Sequence, residues 1–532
     1  MEIADIRPTL SKLKEIYGEL NKRDAKVSSY YALKEIPKTP SVELVPLVPP
    51  TARTIPEALV AALNPTDITV TVPQRTEKAG KVKAEEQSKQ LQLAHKDWLG
   101  RLNVSTGFSK IQELFRQSIL YGRSVLKGPF LNINLWSEQP KRRDGEKGED
   151  FDLRQEQWEN QRKTTLPIEA FPIYPAFVFP DPNVFAGNKP SYVMENYRRL
   201  STTLPANWVV GADPKEEIEY TEYSDDRKRI YFVGDNPVHW EEHTYPWSLY
   251  HIAFSGLGLN SPTGNPEDKA VGIMYPILSR LLADIKLHTV AAWLAQIYGL
   301  PPLAKETPFT DPIDFTPLTV NSETVKLRRL FETPTDAGNL VLNMLALNSA
   351  GLEQDTYSQA LSAMKLSGVS TGIQQQLLTL QAYKRFEAMV QSLESLWGEV
   401  GSQMAWIVEN KLKFAINEHI KPSEIAGYYA CKVHFVIVEA LQMQADIEMM
   451  RMLQGVYSTQ TLREHFAPIE PAEDEDERMF VEGLLQLPDF KQAVAQLILQ
   501  RRGGQQALQT AQIGKVARQF QPPAQGTQGV IQ

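Results

Sequence analysis

The chain is predicted to adopt an α+β fold, predominantly helical, on three observations. From Ile373 the apolar residues Leu377, Leu380, Tyr383, Phe386, Val390, Leu393, Trp397, Val400, Met404 and Ile407 recur at steps of three or four, the period of one helix face. Between Leu166 and Phe254 the runs IEAFPIYPAFVFPD, SYVMENYRRL, EEIEYTEYS, RIYFVGD and SLYHIAF are rich in β-branched and aromatic residues. Pro, Gly, Asn and Asp separate them, as they separate short antiparallel strands. Thirdly, Pro276 opens a helix that runs through Tyr298 with Ile273, Ile277, Leu281, Ile285, Ala292 and Ala295 on one stripe, and Gly299, Pro301 and Pro302 stop it.

Composition narrows the function classes. A chain of 532 residues with 42% hydrophobic content can build real cores, and at ~150 residues per domain it holds roughly three or four modules. Its formal charge of −8 argues against a protein that grips nucleic acid by neutralising phosphates. The single cysteine, Cys431, excludes an internal disulfide framework and a cysteine zinc cluster. The N-terminal MEIADIRPTLSK lacks the apolar core of a secretion signal, and no apolar run approaches the ~18 residues of a membrane span. A soluble protein made in a reducing compartment, without membrane partners, is expected.

In chain order, Thr9 to Asn21 has a helical pattern and is followed by Tyr30 and Tyr31, read as an exposed aromatic pair. Pro37, Pro40, Pro46, Pro49, Pro50 and Pro56 then mark an extended arm, because proline lacks the backbone donor that helices and central strands require. Two helices are predicted over Lys83 to Leu102 and Phe108 to Leu120, the second with Ile111, Leu114, Phe115 and Ile119 on one face. Tyr121 to Asn134 turns to a β-like composition, and Gln139 to Asp152 mixes both charges without period, as a solvated loop does.

Ser255 to Asp268 is rich in glycine and turn residues, but its spacing fits neither the dinucleotide fingerprint nor a P-loop, so it reads as a turn before the helix at Pro276. Leu300 to Thr333 holds five prolines and ends in the basic cluster Lys326, Arg328 and Arg329. A second helix follows from Asp336 to about Leu352, so the two helices form a hairpin with a small head. Leu352 to Gly372, with one cation (Lys365) and glycines at 368 and 372, reads as a mobile connection. Thr371 and Gln374 have the spacing of a capping box and define the start of the long helix. Lys432 to Val438 is a strand, Glu439 to Leu453 and Met479 to Gln500 are helical, and the Gln-, Gly- and Pro-rich tail after Gly503 cannot fold alone.

Two strings invite a catalytic or metal reading. His239-Trp-Glu-Glu-His243 satisfies H-x-x-E-H, in which a helix brings two histidines to one zinc. Pro237 and Pro246 bracket it within strand-like sequence, which leaves that helix no room. The acidic run Glu473 to Glu477 lacks the alternation and glycine of a calcium loop, and it suits the N-terminus of the following helix. No cofactor and no enzymatic activity are expected.

The order of these elements resembles the portal protein (head–tail connector) family of tailed bacteriophages. The resemblance lies in ILYGRSVLKG (119–128), FPDPN (179–183), GIMYPILSRLLADIKLHTVAAWLAQ (272–296), TPTDAGNLVLNMLALNSAG (333–351) and SGVSTGIQQQLLTLQAYKRFEAMVQSLESLW (367–397). With module order it spans most of the chain from about residue 90 to 500.

The resemblance implies a homo-oligomeric ring, typically dodecameric, at the portal vertex of the capsid in the virion, assembled in the cytoplasm of the host bacterium. Double-stranded DNA would be packaged and ejected through its channel. Large terminase, the major capsid and scaffold proteins, and a head–tail adaptor or tail protein would be its partners. Carried onto this chain, residues 1–85 are an N-terminal helix and extended Pro-rich arm, 86–270 an α+β wing, 271–298 and 334–352 the stem helices, and 299–333 the clip. Residues 353–372 are the tunnel loop, 373–438 the long wing helix and return strand, 439–500 a helical crown, and 501–532 a disordered tail. Lys365, with Met364 and Ser367, would face DNA in the channel, Gly368 and Gly372 would hinge the loop, and Lys326, Arg328 and Arg329 would serve the clip. A sparse ring of cations on an acidic wall guides DNA without binding it tightly. The alternatives are another capsid or head–tail adaptor protein and, further off, a metalloenzyme built on the HWEEH string.

Overall fold

The computed structural model describes residues 2–36, 46–73, 81–105, 107–143, 147–209, 213–260, 265–299, 303–304, 320–321, 328–329, 335–356 and 382–437. These residues form a mixed α+β structure, mostly helical, with several antiparallel sheets.

The N-terminal segment makes two helices, α1 (Ile3–Ile16) and α2 (Gly18–Tyr31), where the sequence suggests one shorter helix. Ile6, Leu10, Leu13, Tyr17 and Leu20 repeat at three and four, and all are buried against Phe179, Phe185, Met194 and Phe232. Tyr30, read as exposed, is a core residue, and half-buried Tyr31 donates its hydroxyl proton to Glu57. The proline passage holds helix α3 (Thr51–Leu63) rather than an arm throughout. Pro56 in its second turn costs roughly 3 kcal/mol, which burial of Ile55, Leu59, Val60 and Leu63 offsets at about 1.5–3 kcal/mol each.

The central core packs α3, α4 (Lys81–Val104), α5 (Lys110–Tyr121) and the first half of α8 (Met274–Gly299) around a later helix, α10 (Glu387–Ile407). The predicted apolar face of α5 is buried as expected. Its end is set by Gly122, in the left-handed region at φ 73°, where a Cβ would come within 2.2 Å of the Val271 backbone. The long helix is not continuous: Arg385 and Phe386 form a turn, and α10 starts after it. From Leu393 to Ile407 the predicted stripe is buried, and a π-helical turn, Val408–Leu412, closes the element. The Thr371–Gln374 capping box lies outside the described residues.

The strands fall as the turn punctuation indicates. One sheet has the order β3-β2-β9, from β2 (Arg123–Leu131), β3 (Ile168–Ile173) and β9 (Tyr250–Phe254). A five-stranded antiparallel sheet runs β4 (Val178–Pro180), β5 (Tyr192–Leu200), β6 (Glu217–Asp225), β7 (Lys228–Val233) and β8 (Asn236–Glu242). Strand β13 (Lys432–Val436) pairs with β1 (Asp67–Thr71), matching Phe435 to Ile68. Helix α6 (Gly148–Thr164) begins inside the segment read as a solvated loop and has no buried residue, so no apolar period announced it. Two short helices, α7 (Pro266–Lys269) and α11 (Pro422–Ile425), complete the described body.

A buried ionic cluster joins the two sheets. Lys127 of β2 donates to Glu195 of β5 at 2.8 Å and to Glu222 of β6 at 2.5 Å. Arg229 grips the other oxygen of Glu222 at 3.1 Å, and the hydroxyls of Tyr250 and Tyr220 donate to Glu195 and Glu222. Burial pushes the Glu222 carboxyl up, but Lys127 and Arg229 outweigh it and hold the group ionised.

Candidate functional site: an uncovered helical hairpin

Helix α8 (Met274–Gly299) and helix α9 (Thr335–Thr356) pack against each other as the predicted hairpin. Met274, Ile277, Leu278, Leu281 and Ile285 bury the first half of α8 in the core. Thr51 donates to Asp284 at 2.8 Å, and the Leu47 amide donates to Thr289 at 3.0 Å. Asn348 of α9 donates to the Arg280 carbonyl at 3.3 Å, and Arg280 pairs with Asp355 at 2.7 Å. Arg385 donates to the carbonyls of Gln354 and Asp355 at the C-terminal end of α9, where the helix dipole favours a cation. The base of the hairpin is therefore fixed to the body on several sides.

Beyond the base the composition changes. From Leu287 to Gly299 and from Ala337 to Leu352 there is no Asp, Glu, Lys or Arg. On α9, Val341, Leu345 and Asn348 form a half-buried stripe at helical spacing, and Leu352 below them is buried. Large apolar side chains also lie outside that stripe, among the exposed Asn339, Asn343 and Ser349: Leu340 is 58% exposed, Leu342 63%, Met344 49% and Leu347 72%. Val290 of α8 is also exposed. An uncharged helix with this much exposed apolar surface is one that another surface covers. No helix among the described residues is long and apolar enough to cross a membrane.

The hairpin's outer end carries a small sheet in the order β11-β10-β12, from β10 (Leu303–Ala304), β11 (Val320–Asn321) and β12 (Arg328–Arg329). Strand β12 is antiparallel to β10 and matches Arg329 to Leu303 and Arg328 to Ala304. Two of the three residues of the basic cluster thus lie on one strand of this head. Lys326 lies outside the described residues, as do Lys365, Met364, Ser367, Gly368 and Gly372. Helix α9 runs to Thr356, so its last turn takes the first residues assigned to the loop.

Two other places gather polar side chains. The HWEEH string forms strand β8 and its end, not a helix. His239 stacks with Trp208 and Tyr231 at 5.9 and 5.7 Å, while His243 bonds the Asp225 carbonyl at 2.9 Å. Among the described residues no group of three His, Cys, Asp or Glu is placed to hold a metal. A cleft of about 470 Å³ between β9 and α10 is lined by His251, Glu399, Gln403, Lys189, Trp247 and neighbours. Its polar groups are partnered in place: Lys189 meets Glu399 at 3.0 Å, His251 bonds Gln403 at 2.9 Å, and Lys269 donates to the Val184 carbonyl at 3.0 Å. The hydrogen bond from His251, with Lys189 alongside, holds the Glu399 carboxyl down at about 2.

Sequence reasoning missed Arg280, Asp355 and Arg385, because isolated charges carry no period; only the packing of α8, α9 and the turn before α10 joins them. No protein-family model matches the chain, and no curated protein matches it. A chain from a solved structure of the virion of a native gene transfer agent particle is similar at a TM-score of 0.35 and 11% identity, over 80% of this chain and 91% of that one, a likeness too low to fix fold or role.

Proposed function

We propose that this chain is a portal subunit of a tailed-phage-like particle: a structural protein that closes into a ring around a DNA channel at one capsid vertex. The observation that carries the reading is the α8–α9 hairpin, anchored at its base, uncharged over residues 287–299 and 337–352, and bearing large apolar side chains that the described residues leave exposed. Neighbouring copies of the same hairpin would cover those side chains. A head-to-tail contact that closes gives a ring. The ordered resemblance of five sequence segments to portal proteins supports the same reading.

In this reading the head bearing Arg328 and Arg329, with Lys326, docks terminase and later a tail or adaptor protein. Lys365, flanked by Met364 and Ser367, contacts DNA phosphates, and Gly368 and Gly372 let its loop shift as the duplex passes. Native mass measurement and electron micrographs of the purified chain test the ring, and a closed ring with a central pore is expected. A monomer or an open filament at micromolar concentration would overturn it, the former leaving an adaptor or other capsid component as the better reading. Lys365→Glu is expected to assemble normally and to package or retain less DNA. Wild-type packaging and retention would remove the lysine's role.

A further inference from the structure

Helix α6 is mostly polar, with Phe151, Leu153 and Trp158 its only large apolar side chains, and none of its residues is buried, so apolar burial does not hold it in place. A cation in its last turn does. The guanidinium of Arg162 lies 4.1 Å from the ring centroid of Trp136, 4.2 Å from Phe414 and 4.5 Å from Trp158. Trp136 and Phe414 meet edge to face at 5.8 Å although they are far apart in sequence. Trp136 is buried, and its indole N–H donates to the Thr165 carbonyl at 2.9 Å. Trp158, on α6 itself, closes the third side and donates to the Ser137 carbonyl at 2.9 Å.

Three aromatic faces around one position select a cation that is flat and weakly hydrated, because each ring attracts positive charge and an ammonium would give up more hydration. We propose that Trp136, Phe414 and Trp158 form a guanidinium-binding cage, that Arg162 is its resident ligand, and that this contact latches α6 to the body. At its end, Arg101 donates to the Lys163 carbonyl at 2.9 Å and the Thr164 carbonyl at 3.4 Å. These bonds hold the last turn in either state. Before Arg162, Trp158 and Gln161 bond Ser137, and Arg154 donates to the Lys141 carbonyl at 3.1 Å, so these turns are tied to the adjoining segment 137–141 and the cage adds their link to Trp136 and Phe414. With Arg162 withdrawn, Trp136 and Phe414 remain on the body as a half-cage open to another alkylguanidinium.

Hydrogen exchange on the full chain tests this. In Arg162→Ala, amides of residues 148–160 are expected to exchange about tenfold faster, the factor for losing one partly desolvated cation–π contact, while α5 keeps its protection. Methylguanidinium, well below denaturing concentration, is expected to bind the vacated cage saturably and quench tryptophan fluorescence, whereas sodium chloride at equal ionic strength does neither. Phe414→Leu, which removes a ring but keeps an apolar side chain, is expected to loosen α6 in the same way. Unchanged exchange in both variants would overturn the latch, as would loss of α5 protection along with α6. Equal quenching by sodium chloride would overturn the guanidinium site.

Discussion

Replacing Leu342 and Leu347 together by Glu places two carboxylates on the exposed face of α9. The side chains are 63% and 72% exposed in the isolated chain. Full burial of a leucine contributes about 1.5–3 kcal/mol, so covering what is exposed here contributes about 1–2 kcal/mol at each position. Losing both costs about 2–4 kcal/mol per subunit contact, or roughly 30- to 700-fold in its dissociation constant. Repulsion between carboxylates of adjacent copies adds to that loss. The subunit itself should be spared, because Glu matches Leu in helix propensity and exposed substitutions usually change stability by less than about 0.5 kcal/mol. Sedimentation velocity of wild-type and variant protein at micromolar concentration reads the result, with circular dichroism and thermal unfolding as controls. The variant should sediment as folded monomer where the wild type forms rings. Rings of undiminished stability would show that this face is not the contact between copies.

Three further outcomes are expected from the body of the subunit. Burial holds the His95 imidazole down at about 3, against ~6.5 in an unfolded chain. Stability present above pH 6.5 is therefore lost as pH falls, about 2 kcal/mol between pH 7 and 5. His95→Leu should flatten that pH dependence in denaturant titrations, and an unchanged slope would refute the assignment. Lys127→Met leaves Glu195 and Glu222 buried side by side and should cost about 3–5 kcal/mol. Part of that loss should return at lower pH or on adding Glu195→Gln, and a neutral result would mean the cluster is not closed in solution. Gly122→Ala combines a left-handed backbone with a Cβ inside the Val271 main chain, so a loss of at least about 2 kcal/mol in unfolding free energy is expected.

Local pattern was enough for much of this architecture. The periods of α5, α8 and the buried part of α10, and the punctuation of the strands, are properties of a few neighbouring residues, and those elements appear where the sequence places them. The hairpin was legible for the same reason: its helices are bounded by Pro and Gly, and its lack of charge is plain in the composition. What lacked a period or a local signal was decided by tertiary structure. Tyr30 is buried because α2 packs on the body, Pro56 sits in a helix because four apolar neighbours outweigh its missing donor, and α6 has no apolar face to announce it. Long-range encounters account for the rest. Strands β1 and β13 pair across most of the chain, Lys127 finds Glu195 and Glu222 only when two sheets meet, and Arg162 finds Trp136 and Phe414 only once the chain has folded. Sequence alone determined which periodic segments become helix or strand and which helix pair lacks charge. Only the folded chain decided that Leu340, Leu342, Met344 and Leu347 of α9 stay exposed among the described residues, because exposure depends on what packs nearby and is not encoded in any single segment.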